Sequence, residues 1–170
     1  KIYEFRLHMI AERMPWKVVP FLLCSFIMVQ SLVKNGFTDA AASFISYLSP
    51  NPLASSLSMG FLSSLSANLL NNQPMTVLFT KIVESPNFAL AGAIKSASIY
   101  SLIIGSNLGA NLTLIGALAG IMWAKIVNEK KDGKDEVINY RRFAKYGFLI
   151  MPLVIFVTCA VLAAEFMLLG

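Results

Sequence analysis

The chain has 170 residues, of which 56% are hydrophobic and 14% charged, and its formal net charge is +5. An ordinary soluble domain has about a quarter charged residues, so this composition, with a mean hydropathy of +0.67, excludes such a domain and indicates an all-α integral membrane protein. The basic residues cluster near the N-terminus and in one polar stretch, which bears on orientation in the bilayer and argues against nucleic acid as a partner. The sequence shows no Ser-His-Asp set, phosphate loop, paired catalytic carboxylates or Cys/His cluster, so we expect no enzyme, no cofactor and no resident metal.

The first third of the chain starts with a mixed segment and continues into apolar sequence. Residues 1–14 combine basic and apolar side chains, which is typical of an interfacial or cytoplasmic segment. Residues 16–33 are almost wholly apolar and just reach across a hydrocarbon core of about 30 Å. Asn35-Gly36 is predicted to stop this helix, and a further helix over residues 40–48 is too short to cross.

Small and polar residues then interrupt the apolar sequence. Residues 53–70 are apolar but carry six serines, whose hydroxyls let membrane helices approach closely. The run stops at Asn71-Asn72-Gln73-Pro74, where the proline disfavours helical dihedrals for the residue before it. Residues 75–83 form another apolar segment, again too short to cross. Because the flanks are apolar and uncharged, the pattern favours a re-entrant hairpin with its tip at membrane depth over an ordinary extramembrane loop.

The next apolar region is interrupted in the same way. Residues 88–104 and 114–127 are apolar runs separated by Gly105-Ser106-Asn107-Leu108-Gly109-Ala110-Asn111-Leu112-Thr113. An unpaired polar group in lipid costs several kcal/mol, so we expect a helix broken near the bilayer midplane. Its half-helix ends would face a cavity that binds a small solute or ion. The alternative is close helix packing, because Gly105 and Gly109 form a small-xxx-small pair.

The C-terminal part contains the most polar stretch. Residues 128–145 hold six Lys or Arg and are predicted to form a cytoplasmic loop, followed by a last transmembrane helix over residues 146–170. Inverted-repeat transporters contain two copies of a hairpin and broken-helix unit, whereas this chain contains one. We therefore expect half of such a transporter, with the other half upstream of Lys1 or on a separate polypeptide.

Three motifs resemble one family. Residues 105–123 (GSNLGANLTLIGALAGIMW) are similar to the segment G-x-D/N-L-G-P-x-L-T-x-I-G-S-L-A-T-x-L-W of ArsB-type arsenite efflux permeases, which belong to the ion transporter superfamily. Asn71-Asn72-Gln73-Pro74 resembles their N-N-L-P, and residues 141–152 (RRFAKYGFLIMP) resemble the R-F-x-K-x-G-x-x-x-M-P start of their last helix. The resemblance covers nearly the whole chain, in order, and corresponds to the C-terminal half of such a permease. Asn107 stands where many arsenite permeases carry Asp, Ala110 replaces their Pro, and Gln73 replaces their Leu.

The resemblance implies a permease of the plasma (inner) membrane that exports arsenite or antimonite by alternating access, by proton exchange or with a cytoplasmic ATPase. The partners it implies are the lipid bilayer, the N-terminal half of the transporter, that ATPase and, in a homodimer, a second copy. The glycines would open the broken helix, and Thr113 would cap its second half. By motif, the solute or ion site would consist of Asn71, Asn72, Pro74, Gly105, Ser106, Asn107, Gly109, Asn111 and Thr113.

Together with the resemblance, the sequence divides into six segments. They are an interfacial or cytoplasmic segment (1–14), scaffold-type helices (15–52), the re-entrant hairpin (53–84), the broken-helix region (85–127), the cytoplasmic basic loop (128–145) and the last transmembrane helix (146–170). Two alternatives remain open. The motifs are also similar to the sodium/proton antiporter and melanosomal P-protein branches of the superfamily, so the first alternative is a sodium/proton antiporter or an organic anion transporter. In an antiporter, sodium would bind at the same carbonyl, amide and hydroxyl oxygens. The alternative of another class is a non-transporting membrane subunit that only packs and assembles.

Overall fold

The computed structural model describes residues 16, 18–129 and 139–169, and all regular structure in this part of the chain is helical, as the composition predicts. The described helices are α1 (Val18–Lys34), α2 (Phe37–Tyr47), α3 (Pro52–Leu70), α4 (Asn72–Glu84), α5 (Gly92–Gly109), α6 (Leu118–Glu129) and α7 (Tyr140–Leu169). By length and composition α3 and α7 are each able to cross a membrane, and α1 with α2 would make a third crossing if that bent pair is one span. The predicted segment 1–14 and residues 130–138 of the predicted basic loop lie outside the described residues.

α1 ends where the sequence predicts. Gly36 has a φ of +76°, a left-handed conformation that glycine adopts at little cost. The Ser31 carbonyl accepts two hydrogen bonds from Asn35, from its backbone N–H at 3.1 Å and from its side-chain Nδ2 at 2.8 Å, and these hold Asn35 against the end of α1. After this break the direction of the chain changes by 74°, and both α1 and α2 pack against α4.

α3 and α5 lie side by side and point in the same direction. Ser55 Oγ lies 2.5 Å from Ser98 Oγ near the start of both helices, and Asn68 Nδ2 donates to the Gly109 carbonyl at 2.7 Å near their ends. These partners are 43 and 41 residues apart along the chain, so the offset is nearly constant and the helices are parallel. The small side chains between them let the two backbones approach closely, as is common between membrane helices.

Because α3 and α5 are parallel, the chain between them returns to the level where α3 starts, and α4 makes most of that return. Beyond α4, the Ala89 amide N–H donates to Ser46 Oγ at 3.2 Å, close to the end of α2. Ser49 Oγ, also near that end, lies 3.3 Å from Ser58 Oγ in the first half of α3. α3 and α4 therefore form a helical hairpin whose tip is Asn71. Its arms have 19 and 13 residues, or about 28 and 20 Å.

α7 packs against α3 and α5 in the opposite direction. Near the start of α7, Gly147 lies against the backbone of Leu112, which follows the end of α5. Further along α7, the Cys159 carbonyl accepts a hydrogen bond from Ser56 Oγ at 2.9 Å, close to the start of α3. Each of the three helices contacts the other two, so they form a three-helix bundle with small side chains at its centre.

The last helix begins earlier than the sequence predicts. α7 starts at Tyr140, whereas we expected a loop over residues 128–145 and a helix from residue 146. Asn139 explains the difference, because its Oδ1 accepts a hydrogen bond from the Arg141 amide at 3.1 Å and caps the helix start. Part of the basic stretch is therefore helical, and Pro152 lies inside α7 rather than near its start.

The close approach of α3 and α7 at Gly60 leads to a first prediction. A Cβ at Gly60 would lie 2.5 Å from Cys159 Sγ, so Gly60→Ala is expected to destabilise the protein by roughly 1–3 kcal/mol through overpacking. Cys159→Ala removes that sulfur, and we expect the double variant to recover most of the loss. Thermal unfolding of the purified protein in detergent measures both effects. Cys24→Ala, at an exposed cysteine, is the control, and simple additivity of the two changes would contradict the predicted contact.

Candidate functional site

The tip of the hairpin is a single irregular residue. Asn71 ends α3 and precedes α4, with φ +73° and ψ 151°. Its side chain is 4% exposed, and Nδ2 donates to the Ile115 carbonyl at 3.1 Å. Its Oδ1 is buried and has no hydrogen-bond partner among the described residues. A buried amide oxygen without a hydrogen-bond partner costs free energy, so Oδ1 of Asn71 is a candidate ligand-binding atom.

The remainder of the predicted polar turn belongs to α4. Asn72 is the first residue of this helix, and its backbone N–H donates to the Gly116 carbonyl at 3.0 Å. Pro74 is fully buried in the first turn, where the missing proline N–H has no helical partner to lose. The sequence therefore predicts the position of the turn correctly, but the turn is shorter than we expected.

The interruption of the second helix falls later than the sequence predicts. α5 continues to Gly109, so Gly105, Ser106 and Asn107 are helical, and the irregular segment comprises residues 110–117. We call residues 110–117 the break segment. It is held by turns, such as the hydrogen bond from the Leu112 amide to the Gly109 carbonyl at 3.0 Å. Since α6 begins at Leu118, Thr113 does not cap it.

The two predicted helix-opening glycines serve close packing instead. A Cβ at Gly105 would overlap Ser63 Oγ and lie 2.6 Å from the Gly60 carbonyl. A Cβ at Gly109 would overlap Cβ and Oγ of Ser64. The expectation that these glycines open the helix is therefore wrong, and the small-xxx-small alternative describes both positions.

The hairpin tip and the break segment meet directly, and Asn68 joins them. Its Oδ1 accepts hydrogen bonds from the backbone N–H of Thr113 at 3.0 Å and from Thr113 Oγ1 at 2.8 Å. Its Nδ2 donates to the carbonyls of Ser64 at 2.8 Å and Gly109 at 2.7 Å. The sequence analysis did not single out Asn68. We call the contact region of residues 68–72 with residues 109–116 the crossing.

Two of the predicted asparagines lie on the outer side of the crossing. Asn107 donates from Nδ2 to the Ile103 carbonyl at 2.9 Å, and Asn111 donates to the Asn107 carbonyl at 3.1 Å. Both side chains are exposed, and Ser106 beside them is half-buried. The predicted site residues therefore form a buried group with Asn71, Gly109 and Thr113 and an exposed group with Asn107 and Asn111.

The crossing is polar but carries no charged side chain. The carbonyl ends of α3 and α5 and the N–H end of α4 meet there, so partial charges of both signs are present. Among the described residues no group of three or more His, Cys, Asp or Glu is placed to hold a metal ion. The chemistry available is hydrogen bonding by amides, hydroxyls and irregular backbone.

A cavity in the described part of the chain lies elsewhere and has a different character. It has a volume of about 360 Å³ and lies between α1, α2 and the flank of the hairpin. Of the described residues that line it, Ser66 alone is polar, and the others are apolar, such as Phe44, Leu69 and Phe79. Such walls do not offer the convergent polar groups that fix a small polar solute, so the crossing remains the candidate site.

The architecture now defines a class of protein. Irregular backbone within a helical membrane bundle is tolerated where other protein or a water-filled cavity covers it, and the crossing brings two such irregular segments together. A helical hairpin whose tip contacts an irregular segment between two apolar helices, with amides at the contact, is an arrangement that membrane transporters use.

Comparison with known proteins identifies the family. The family model described as "ArsB: Arsenical pump membrane protein" matches residues 5–164, and the chain belongs to this family. An arsenical pump membrane protein of Escherichia coli K12 is 30% identical over 150 residues, covering 88% of this chain and 34% of that protein. A putative arsenical pump membrane protein of Bacillus subtilis is 28% identical over 145 residues, and an uncharacterized transporter of Synechocystis is 27% identical over 160 residues.

The chain spans about a third of the length of these relatives. No solved structure matches it. The chain therefore belongs to a family of membrane transporters, as the resemblance predicts.

Proposed function

We propose that this chain forms one half of a secondary transporter that exports arsenite and antimonite across the plasma membrane by alternating access. The observation that carries the proposal is the uncharged, amide-rich crossing in a chain of the arsenical pump membrane protein family. Trivalent arsenic in neutral solution is a neutral hydroxide, which needs hydrogen-bond donors and acceptors and no counter-charge. Asparagine amides and a threonine hydroxyl provide both.

The two groups of site residues receive different roles in this proposal. Exposed Asn107 and Asn111, with Ser106, contact the solute from the side of α5. Asn72 and Pro74 shape the site from the side of the hairpin, and Asn71 offers its unpartnered Oδ1. Gly105 and Gly109 contribute by letting α3 and α5 approach closely, so they support the site without touching the solute.

The membrane arrangement completes the proposal. The hairpin of α3 and α4 is re-entrant, since its shorter arm of about 20 Å falls short of a hydrocarbon core of about 30 Å. Residues 128–145, rich in Lys and Arg, lie on the cytoplasmic side. An inverted second copy of the unit, supplied by the N-terminal half, completes the solute pathway. A cytoplasmic ATPase and a second copy of the transporter are the further partners we propose.

One observation favours a second candidate function, cation/proton antiport. Asn71 Oδ1 is a buried acceptor without a partner, beside the carbonyl ends of two helices. Amide and carbonyl oxygens in such a position are able to bind a sodium ion as well as a hydroxyl group. The experiment that tests the first candidate therefore includes sodium.

The test is transport by the complete protein in proteoliposomes, with arsenite and sodium offered separately. We expect arsenite flux that Asn111→Ala reduces about tenfold, since a solute hydrogen bond is lost at the site. The matched control is Asn35→Ala, which removes the same kind of side chain-to-backbone bond at the end of α1.

The other outcomes separate the alternatives. Sodium-driven proton movement without arsenite flux would keep the site and transfer the protein to the antiporter branch. Equal flux in Asn111→Ala and in the wild type would remove the outer asparagines from the solute pathway. A complete protein that moves neither arsenite nor sodium would favour a non-transporting subunit.

A further inference from the structure

The side chain of Asn68 uses its full hydrogen-bonding capacity within the crossing. It makes two donor and two acceptor contacts, to α3 itself, to the last residue of α5 and to Thr113 in the break segment. An asparagine amide offers two N–H donors and one carbonyl oxygen with two lone pairs, so no capacity remains for a solute. Asn68 therefore acts on its neighbours rather than on the transported molecule.

The contacts of Asn68 fix the break segment against the hairpin. Residues 110–117 have no helical hydrogen-bond ladder of their own. They make turn hydrogen bonds, such as that from the Gly116 amide to the Thr113 carbonyl at 3.3 Å, and further hydrogen bonds to the hairpin. Thr113 is bound at two atoms by Asn68, and it lies two residues from the exposed Asn111. Gly116 passes so close that a Cβ there would lie 2.7 Å from Asn68 Oδ1. Asn71 and Asn72 hold the neighbouring residues Ile115 and Gly116, so a loss of the Asn68 amide frees Thr113 in particular and loosens the break segment on the side of Asn111.

We propose that Asn68 is the positioning residue of the solute site. It holds the break segment in register with the hairpin tip, so that Asn111 is presented to the solute and Asn71 keeps its contact with Ile115. This inference rests on the proposed function in assigning the solute contact to Asn111. The holding of the break segment itself is independent of the solute.

The first experiment measures arsenite transport by variants of the complete protein. Thr113→Val removes the hydroxyl donor to Asn68, while Thr113→Ser retains it. We expect Asn68→Ala and Thr113→Val to raise KM about tenfold, because each leaves a polar partner unsatisfied at the site. We expect Thr113→Ser, which retains the hydroxyl donor, to recover most of the rise in KM caused by Thr113→Val. We expect the control Asn35→Ala to keep KM within about twofold of the wild type. A merely structural role for Asn68 would lower the amount of protein and Vmax and leave KM unchanged, and that result would overturn the proposal.

The second experiment needs no transported solute. Leu114 is 6% exposed within the break segment, so a cysteine there is protected while the segment is docked. In a background with Cys24→Ala and Cys159→Ala, Leu114→Cys is labelled with a membrane-permeant maleimide. We expect Asn68→Ala and Thr113→Val each to accelerate labelling about tenfold towards the rate at Ala119→Cys, an exposed reference position.

The outcomes of the two experiments distinguish a failure of the positioning role from a failure of the proposed function. An unchanged labelling rate at position 114 in both variants would refute the positioning role of Asn68, whatever the solute. Accelerated labelling without any arsenite flux in the wild type would support the positioning role and reject the proposed function. If Asn68→Ala does not fold, Thr113→Val tests the same contact from the other side.

Discussion

Replacing Asn71 with glycine is expected to leave the protein folded and to reduce transport at least about tenfold. Asn71 has φ +73° and ψ 151°, a region that is essentially restricted to glycine and costs other residues about 1–3 kcal/mol. Glycine adopts it freely, which offsets the lost hydrogen bond to Ile115, worth about 0.5–1.5 kcal/mol. Unfolding stability is therefore expected to stay near the wild-type value or to rise. Transport falls because the buried Oδ1 is removed.

A second substitution at Asn71 separates the effect of its backbone conformation from the effect of its side-chain amide. Asn71→Leu removes the same amide but retains a Cβ in a conformation that leucine rarely adopts, so we expect loss of both stability and transport. Thermal unfolding and arsenite uptake, measured on the wild type and both variants, give the comparison. Wild-type transport by Asn71→Gly would show that the Asn71 side chain takes no part in solute movement.

Gly109→Val is expected to prevent stable packing of α3 on α5. A Cβ at Gly109 would overlap Ser64 Cβ and Oγ and lie 2.5 Å from its Cα, so the clash involves backbone that a rotamer change does not relieve. The helices have to separate, and the hydrogen bond from Asn68 to the Gly109 carbonyl is lost with them. We expect a loss of about 3 kcal/mol or more, the sum of overpacking and of a broken buried contact.

The measurement is the amount of inserted, detergent-stable protein and its unfolding temperature. Ala119→Val is the matched control, because it adds methyl groups on an exposed face of α6 close to the break segment. That control is expected to change stability by no more than about 0.5 kcal/mol. Similar behaviour of Gly109→Val and Ala119→Val would mean that α3 and α5 do not approach as closely as the structure has them.

The position of the hairpin tip is readable from the sequence because several signals coincide there. Asn71 interrupts apolar sequence, and Pro74 suits the first turn of a helix as well as it disfavours the interior of one. The flanking runs contain no charge between residues 53 and 80, which keeps both arms apolar. Local chemistry and the apolar pattern therefore agree, and the structure has the turn within the predicted residues.

The sequence predicts the break segment about one turn too early, because residues 105–109 are compatible both with a continuous helix and with a break. Glycine is tolerated inside a membrane helix when a neighbour fills the space, and Ser63 fills it at Gly105. Asn107 is tolerated because its amide donates to the Ile103 carbonyl within the same helix. Which structure forms depends on α3, a partner that lies about 41–45 residues earlier in the chain and that no local pattern identifies.

Asn68 was missed although a signal for it exists. Small and polar residues recur at spacings of three and four along α3, at Ser56, Gly60, Ser64, Asn68 and Asn71. That spacing defines one face of a helix, and a polar face in apolar sequence needs a protein partner. This polar face of α3 leads directly to the turn at Asn71, and the turn residues alone do not reveal it. The atoms of Thr113 and Gly109 that bind Asn68 are identified only by the structure.

The two short helices bear on how the protein is made. α4 and α6 have 13 and 12 residues, so neither is suited to leave the translocon as an independent membrane span. α3 is synthesised before them and is long enough to lie in lipid. Three of its serines donate to its own backbone, as Ser63 does to the Met59 carbonyl at 2.6 Å. Once α5 emerges and pairs with it, Asn68 meets the break segment and shields its backbone from lipid. We therefore expect the chain beyond α5 to insert correctly only after α3 and α5 have paired inside the membrane.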